Sequence, residues 1–333
     1  MTERHPRVSM VVPVYNEQES LAILHSEIKQ GIDGQPHEII FVDDGSTDGS
    51  WRTLLQLAEA DPDVRLVRFG RNVGKSAALA AGFHESSGEI VITLDADLQD
   101  DPKHIPEFIR DIEDGCDLVS GWKVIRHDPL TKTAPSRLFN AVTVWATGVR
   151  PRLHDFNCGF KAYRRELILR LDLYGELHRF IPALAYWKGF RIGERPVEHR
   201  PRRFGRSKFG ARRFLSGMLD LTTVLFITRF NRKPMHLFGS IGLAGFGVGL
   251  VINLYLTALK LFAGQTIGDR PLLLLGVLLM VMGLQFFGIG LLADLANRDG
   301  RGHVLDHRYE VVWPARPRHR PAARRPRRPL LRP

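Results

Sequence analysis

The chain has 333 residues, enough for about two folding units, and 44% of them are hydrophobic and 25% charged. This composition excludes a wholly disordered or collagen-like protein and leaves room for a membrane segment. The formal net charge is +11, but residues 314–333 alone carry eight arginines and no acidic residue, so much of the excess lies in a tail.

The cysteine content and the N-terminal sequence indicate a reducing compartment. The two cysteines, Cys116 and Cys158, cannot form a disulfide framework and lie in no metal-ligand spacing. The N-terminus has no apolar stretch of signal-peptide length. We therefore expect the part of the protein that carries chemistry to stay in the cytosol.

The first 121 residues alternate between predicted strands and predicted helices. The strands are short apolar, β-branched runs: Val8–Val14, Glu38–Asp43, Arg65–Phe69, Glu89–Asp95 and Asp117–Gly121. The helices have apolar residues at helical spacing: Glu19–Gln30, Trp51–Ala60 and Ser76–Ser86. This order predicts an α/β fold with a mostly parallel, Rossmann-like sheet covered by helices on both faces. Ligands bind such sheets outside the carboxyl ends of the strands.

A pair of carboxylates follows the fourth predicted strand. In Asp95-Ala-Asp-Leu-Gln-Asp100, the side chains of Asp95 and Asp97 point the same way as the chain leaves the sheet. Carboxylate oxygens, with the carboxamide of Gln99, suit Mg²⁺ or Mn²⁺. A D-x-D sequence also occurs by chance in many loops, and its position after a buried strand is what favours a metal site.

Two further polar clusters lie at predicted strand ends. Asp43 and Asp44 end the second strand and are predicted to face a ligand, while Ser46–Asp48 are predicted to cap the helix that begins near Trp51. The run from Gly70 to Ser76 lacks one residue between its glycines compared with a phosphate-binding loop of nucleotide triphosphatases. Lys75 is therefore expected to contribute to the crevice or to cap a helix.

Two apolar stretches follow the sheet region. Leu237–Leu259 and Pro271–Ala293 each run 23 residues without a charge, and a transmembrane helix needs about 20 apolar residues. A buried hairpin in a soluble protein is the alternative. Basic residues flank the outer ends of the pair: Arg229, Arg232, Lys233, Arg298 and Arg301. The positive-inside rule then predicts a two-span protein of the plasma or inner membrane with both termini in the cytosol.

These features divide the chain into four predicted segments. Residues 1–210 form a cytosolic catalytic domain, 211–233 an amphipathic juxtamembrane segment, 234–296 a two-helix transmembrane domain, and 297–333 a basic Pro/Arg-rich cytosolic tail, disordered from residue 314. The tail either touches anionic lipid headgroups or is solvated and idle. We expect the lipid bilayer as a partner and no nucleic acid, and self-association stays open.

Seven motifs occur in the same order as in a known family. They are Pro13-Val-Tyr-Asn-Glu17, Val42-Asp-Asp-Gly-Ser46, Arg71-Asn-Val-Gly-Lys75, Leu94-Asp-Ala-Asp-Leu-Gln-Asp100, Ser136-Arg-Leu-Phe-Asn140, Asp155-Phe-Asn-Cys-Gly-Phe-Lys161 and Arg202-Arg-Phe-Gly-Arg-Ser-Lys208. With them, the chain resembles family 2 glycosyltransferases with a GT-A fold. Within that family it is similar to the polyprenyl-phosphate hexose transferase branch, which includes dolichyl-phosphate mannose synthase and bacterial undecaprenyl-phosphate glucosyltransferases. The resemblance covers about residues 8–230, and the paired spans match the bacterial members.

The resemblance implies a role for each matching residue. The nucleoside of the sugar donor is expected to contact Pro13, Tyr15, Glu17, Val42 and Asp44. Asp95 and Ala96 would line its ribose and diphosphate, and Asp97 and Gln99 would bind the metal. A mobile acceptor loop would contain Arg202, Ser207 and Lys208. Arg137 matches an arginine near the lipid phosphate, and Asp155 matches an acid beside the reacting atoms.

One position departs from the family pattern. Lys123 stands where family members commonly have arginine, so the bidentate phosphate grip of a guanidinium is absent there. Arg126 is a candidate to share this role.

The sequence therefore predicts an enzyme that moves a hexose from a nucleotide sugar, of the UDP-glucose or GDP-mannose type, to a polyprenyl phosphate at the cytosolic membrane face. We expect a metal-dependent inverting displacement, because the acceptor phosphate, with a second pKa near 6, is already largely dianionic. One alternative is a processive polysaccharide synthase of the same superfamily, although the several spans and the Q-x-x-R-W motif that it needs are missing. A non-catalytic membrane scaffold with a dead transferase domain is the other, and the intact Asp95 and Asp97 argue against it.

Overall fold

The computed structural model describes residues 6–32, 34–124, 140, 142–144, 147–150, 153–204, 221–226, 234–266, 268, 270–299 and 309–313. Of the sequence predictions, Arg126, Arg137, Ser207 and Lys208 lie outside the described residues, as do most of the juxtamembrane segment and the tail from residue 314.

Eight strands form one mixed sheet. They are β1 (Val8–Val14), β2 (His37–Asp43), β3 (Val64–Phe69), β4 (Ile90–Thr93), β5 (Leu118–Lys123), β6 (Lys161–Arg164), β7 (Ile192–Val197) and β8 (Tyr309–Trp313). The strand order is β7-β5-β6-β4-β1-β2-β3-β8. Strands β1 to β4 pair in parallel, as do β5 and β7, whereas β6 and β8 are antiparallel to their neighbours. The predicted mostly parallel α/β sheet is confirmed.

Helices cover both faces of this sheet. They are α1 (Leu21–Gly31), α2 (Ser50–Ala60), α3 (Lys75–Glu85), α4 (Ile105–Glu113), α5 (Arg165–Ile168) and α6 (Ile181–Trp187). One apolar cluster joins α3 and α6 to the sheet, and a second joins α1, α2 and α4 to its other face. Strand β1 is buried almost throughout, as expected for a central strand covered on both faces.

The chain gathers its polar loops at one edge of the sheet. Strands β1, β2 and β4 end there because they are parallel. Strand β6 runs the other way and begins there, since Lys161 pairs with Thr93 at the end of β4. The loop before β6, which contains Asp155, therefore lies beside the loop after β4, which contains Asp95 and Asp97.

Two long apolar helices follow, α7 (Pro234–Ala263) and α8 (Pro271–Asp299). Each is long and apolar enough to cross a membrane, and most of their residues are exposed. Glycines allow the two helices to approach closely: a Cβ added at Gly283 would lie 2.5 Å from the carbonyl oxygen of Gly242, and one added at Gly249 would lie 2.5 Å from that of Gly276. The predicted pair of candidate spans is confirmed as a packed helical hairpin.

Strand β8 was missed by the sequence analysis. It follows α8, within the segment predicted to be a basic tail, and pairs antiparallel with β3. The segment after the second apolar helix therefore returns to the sheet and covers the edge that β3 would otherwise expose.

Candidate active site

Asp95 and Lys75 form the centre of the edge described above. Lys75 begins α3, and its Nζ lies 2.5 Å from Asp95 Oδ1. Burial alone would raise the pKa of Asp95, but the hydrogen bond from Lys75 and the positive charges of Lys75, Lys123 and Lys161 together outweigh it and lower the pKa from 3.8 to about 2. Gly159 makes room for this pair, because a Cβ at that position would lie 2.4 Å from Asp95 Cγ.

Asp97 forms an ion pair with an arginine that follows an edge strand of the sheet. Arg202 follows β7, and its Nη2 lies 2.5 Å from Asp97 Oδ2 while its Nη1 lies 3.3 Å from Glu17 Oε1. Burial and the nearby negative charge of Asp95 raise the pKa of Asp97, against the attraction of Arg202. The fold thus brings together Glu17, Asp97 and Arg202, which come from three separate sequence motifs.

The carboxylate of Asp97 and the carboxamide of Gln99 are side chains that can bind a divalent cation. Gln99 donates its backbone N–H to Asp97 Oδ1 at 3.2 Å, and its Nε2 lies 3.2 Å from His199 Nε2. The part of the chain that the structure describes contains no group of three or more His, Cys, Asp or Glu side chains arranged around one point. A donor set of Asp97 with the carboxamide of Gln99 matches a cation that takes one or two carboxylates and completes its shell with water and phosphate oxygens.

The residues predicted to contact the nucleoside lie on β1 and β2 and in the loops that follow these strands. Pro13 and Val42 are partners in the register of these strands, and Tyr15 and Glu17 follow the end of β1. Asn16 between them has a positive φ of 54°, and its backbone N–H donates to Ser46 Oγ at 3.0 Å.

Asp44 also shapes the neighbouring loop. Its carboxylate, 4% exposed, accepts hydrogen bonds from the backbone N–H groups of Val73 and Gly74 and from the side chain of Asn72, at 2.8 to 3.0 Å. This clamp fixes the turn that delivers Lys75 to Asp95. Asp43 is fully buried and accepts from the backbone N–H of Ser46 at 3.0 Å, and its contact with a ligand stays a prediction.

The predicted cap of α2 is only partly present. Asp48 Oδ1 accepts from the backbone N–H of Ser50, the first helical residue, at 2.9 Å. Ser46 and Thr47 bond to Asn16 instead, so they join the loops after β1 and β2 rather than cap a helix.

Lys123 and Asp155 lie on the β5 side of the edge. Lys123 Nζ is 2.8 Å from Asp100 Oδ1. Burial alone would lower the pKa of Lys123, but Asp100 and the other negative groups nearby, Asp95 among them, together raise it. Asp155 is 1% exposed, and its Oδ1 accepts from the backbone N–H of Asn157 at 3.0 Å. Ala96, also predicted at the site, is 4% exposed between the two carboxylates.

Sequence reasoning missed a set of basic residues beneath Asp95. Lys161 begins β6, and His178 and Arg179 come from the 3₁₀ turn Leu177–Phe180 before α6. Lys161 was noticed only as the end of a motif, and no sequence signal marks the other two, because they reach the site through tertiary packing from about 80 residues beyond the D-x-D sequence.

Comparisons with known proteins show which family the chain belongs to. The model of glycosyl transferase family 2 matches residues 9–172. The chain is 38% identical over 298 residues to a dodecaprenyl-phosphate galacturonate synthase of Rhizobium johnstonii, covering 87% of this chain and 88% of the relative. It is also 38% identical over 303 residues to an undecaprenyl-phosphate 4-deoxy-4-formamido-L-arabinose transferase of Yersinia pestis, covering 90% of each.

A solved structure shares the fold at lower identity. Glucosyl-3-phosphoglycerate synthase from Mycobacterium tuberculosis, in complex with Mn²⁺, UDP and glucosyl-3-phosphoglycerate, superposes with a TM-score of 0.55 at 19% identity, covering 67% of this chain and 80% of that one. This confirms the GT-A fold expected from the motifs. The chain therefore belongs to glycosyl transferase family 2 and is an enzyme of its polyprenyl-phosphate sugar transferase group.

Proposed function

We propose that this enzyme transfers one sugar from a nucleoside diphosphate sugar to the phosphate of a polyprenyl phosphate at the cytosolic face of the membrane, with a divalent cation, Mg²⁺ or Mn²⁺, and with inversion at the anomeric carbon. The observation that carries the proposal is the convergence of Asp95 and Asp97 with Lys75 and Arg202 at the carboxyl edge of the sheet. Two carboxylates and two cations at this edge match the needs of a bound diphosphate and its counterion.

The cation would be held by Asp97 and Gln99. Such an ion, when bound, stabilises the negative charge that develops on the departing nucleoside diphosphate. Lys75 and Arg202 lie within contact of the two aspartates and would neutralise further phosphate charge.

The reaction needs positioning more than proton transfer. A phosphate oxygen of the acceptor attacks the anomeric carbon, and the bond from that carbon to the nucleoside diphosphate breaks with its electron pair going to the leaving oxygen. Because the acceptor phosphate is largely dianionic near neutral pH, no general base is required. In this scheme Arg137, Lys208 and Ser207 bind the acceptor phosphate, and Lys123, held by Asp100, contributes positive charge nearby.

Asp155 would act as a positioning residue. Its carboxylate caps the backbone N–H of Asn157 and so orders the loop that faces Asp95. That loop includes Gly159, which contacts the Asp95 carboxylate directly.

Membrane topology supports access to a lipid acceptor. Strand β8 follows α8 and pairs with β3, which supports a hairpin that enters and leaves the bilayer from the same side. The arginines that flank the hairpin favour the cytosol for that side.

The transfer assay that tests this proposal uses membranes containing the full chain, added undecaprenyl phosphate and a panel of radiolabelled nucleoside diphosphate sugars. We expect one donor to give an organic-soluble product from which mild acid releases a single monosaccharide. Asp97→Asn should abolish the product, whereas the matched control Asp172→Asn, at an exposed position paired with Lys188, should not. A polymeric product would indicate a processive synthase, and no lipid-linked product from any donor would reject the proposal.

A further inference from the structure

A small cavity lies beside Asp95, on the face of the sheet covered by α3 and α6. Its volume is about 10 Å³, room for about one water molecule. Most of its polar lining is basic or amide: Lys75, Asn157, Lys161, His178 and Arg179. Leu79 and Ile181 form apolar walls, which strengthen electrostatic interactions inside it.

Lys161 brings a buried positive charge to this cavity. It is 3% exposed, and its ammonium donates to the carbonyl oxygens of Phe156, at 3.2 Å, and Cys158. An ammonium has three N–H donors, so one remains. Within the described ranges no carboxylate lies within ion-pair distance of Lys161 Nζ, and burial lowers its pKa.

Arg179 brings a second buried cation with an unused donor. Its side chain is 9% exposed and pairs with Glu176 through Nη2. Its Nε is buried and has no hydrogen-bond partner among the described residues. His178, beside it, is neutral near pH 7, because burial first and Lys75 second hold its pKa well below its ordinary value.

The charges around the cavity do not balance. Lys75 is compensated by Asp95 and Arg179 by Glu176, which leaves the ammonium of Lys161 without an anionic contact among the described residues. Asp155 and Asp95 attract it only from a distance. A buried cation without a paired anion is costly. The cavity has room for one anionic oxygen, which is about the size of a water molecule, and such an oxygen would remove that cost while accepting the unused N–H donors.

The position of the cavity indicates which part of a ligand would reach it. The expected nucleoside residues lie on β2 and β1, and the expected diphosphate residues follow β4. The next strand in the same direction is β6, where Lys161 begins. A sugar attached beyond the diphosphate would therefore lie over Asp95, Gly159 and the mouth of this cavity.

We propose that Lys161 and Arg179 are specificity-determining residues that bind a carboxylate on the donor sugar, so that the donor is a nucleoside diphosphate hexuronate rather than a neutral hexose. This inference rests on the proposed function, since it places a nucleotide sugar at Asp95. A neutral sugar would leave the Lys161 ammonium and the Arg179 Nε with water alone, whereas a carboxylate forms charge-assisted hydrogen bonds with both.

The test is donor binding to the full chain in detergent micelles with Mn²⁺, measured by calorimetry. The affinities of the chain for UDP and GDP are compared first. The nucleoside diphosphate that binds determines which nucleotide base the donors in the next step carry. The binding of a matched pair that differs only at C6 is then measured: UDP-galacturonate against UDP-galactose, or GDP-mannuronate against GDP-mannose. We expect the uronate to bind at least about tenfold more tightly than its neutral partner.

Variants test whether Lys161 and Arg179 cause the preference for the uronate. Lys161→Met and Arg179→Gln should each reduce the uronate preference to about threefold or less, with affinity for the bare nucleoside diphosphate unchanged, while Lys161→Arg retains it. Lys188→Met, a surface lysine bonded to the Arg170 carbonyl, is the matched control and should retain the preference.

The possible outcomes distinguish a failure of this inference from a failure of the proposed function on which it rests. If the wild-type chain binds a nucleoside diphosphate but shows no uronate preference, the cavity holds only water and the inference is wrong while the proposed function stands. A preference that survives in both Lys161→Met and Arg179→Gln would also reject it. Failure of both UDP and GDP to bind would reject the proposed function and this inference together.

Discussion

The guanidinium of Arg202 lies against the carboxylate of Asp97, with Nη2 2.5 Å from Oδ2. It therefore occupies one of the two carboxylate oxygens with which Asp97 could hold a cation. A divalent cation and a guanidinium repel each other at such a distance. We infer that Arg202 must move away from Asp97 when metal and donor bind.

Replacing Arg202 should consequently strengthen metal binding and weaken turnover. In Arg202→Gln, the apparent Kd for Mn²⁺ without nucleotide should fall about threefold or more, because the competing cation is gone. The rate of sugar transfer should fall, because a cation that neutralises phosphate charge is lost. Titration of free Mn²⁺ by electron paramagnetic resonance measures the first effect.

Arg200→Gln is the matched control for this experiment. Arg200 lies two residues away but pairs with Glu27 and Asp101 rather than with Asp97. Its replacement should leave Mn²⁺ affinity unchanged. Unchanged or weaker Mn²⁺ binding in Arg202→Gln would contradict the competition.

Gly159 is predicted to be irreplaceable because of Asp95. An alanine Cβ at this position would lie 2.4 Å from Asp95 Cγ, so the carboxylate must rotate and release Lys75. We expect Gly159→Ala to lower the transfer rate by roughly tenfold or more while the protein still folds. Gly70→Ala, where a Cβ meets no atom within 4 Å, should keep the wild-type rate. Full activity of Gly159→Ala would show that the contact between Asp95 and Lys75 is dispensable.

The sheet edge and its loops could largely be predicted from the sequence. The apolar runs that end at Val14, Asp43 and the D-x-D sequence are continuous and β-branched, as central parallel strands are. Their carboxyl ends must share an edge, so the convergence of Glu17, Asp44 and Asp95 followed from strand direction alone.

The parts that were missed depend on packing between distant segments. Strand β8 has the short apolar sequence Tyr-Glu-Val-Val-Trp inside an arginine-rich and proline-rich region, and only the free edge of β3 gives it a partner. His178 and Arg179 lie in a 3₁₀ turn without a recognisable pattern. The pairing of Lys123 with Asp100 likewise depends on the register of β5, which the sequence does not reveal.

Beyond α8, the described part of the tail is strand β8. Deleting residues 309–333 removes β8 and exposes the edge of β3, so the sheet domain should unfold at a lower temperature. Deleting residues 314–333 keeps β8 and removes eight arginines, and it should leave the unfolding temperature unchanged. Differential scanning fluorimetry of the two truncated chains in micelles measures the difference. Equal unfolding temperatures would show that β8 does not stabilise the sheet.

Because α7 and α8 pack closely, the effect of a leucine substitution on α8 should depend strongly on its position. Gly283→Leu places a side chain 2.5 Å from the Gly242 carbonyl and should force the two helices apart. At Gly288, five residues along the same helix, an added Cβ meets no atom of the described residues within 4 Å, so Gly288→Leu should be tolerated. Crosslinking of cysteines placed on α7 and α8 reports the separation, and equal crosslinking in both variants would contradict the packing.

In the proposed reaction a sugar passes from a nucleoside diphosphate to a lipid phosphate at this edge, with the help of the cation that Asp97 would hold. Its most direct measurement uses the purified full chain in nanodiscs with Mn²⁺, a radiolabelled donor and undecaprenyl phosphate, counting label in the lipid and free nucleoside diphosphate together. We expect equal amounts of the two products, both dependent on the added acceptor and reduced at least about a hundredfold in Asp97→Asn. Nucleoside diphosphate release without labelled lipid, or full transfer by Asp97→Asn, would contradict it.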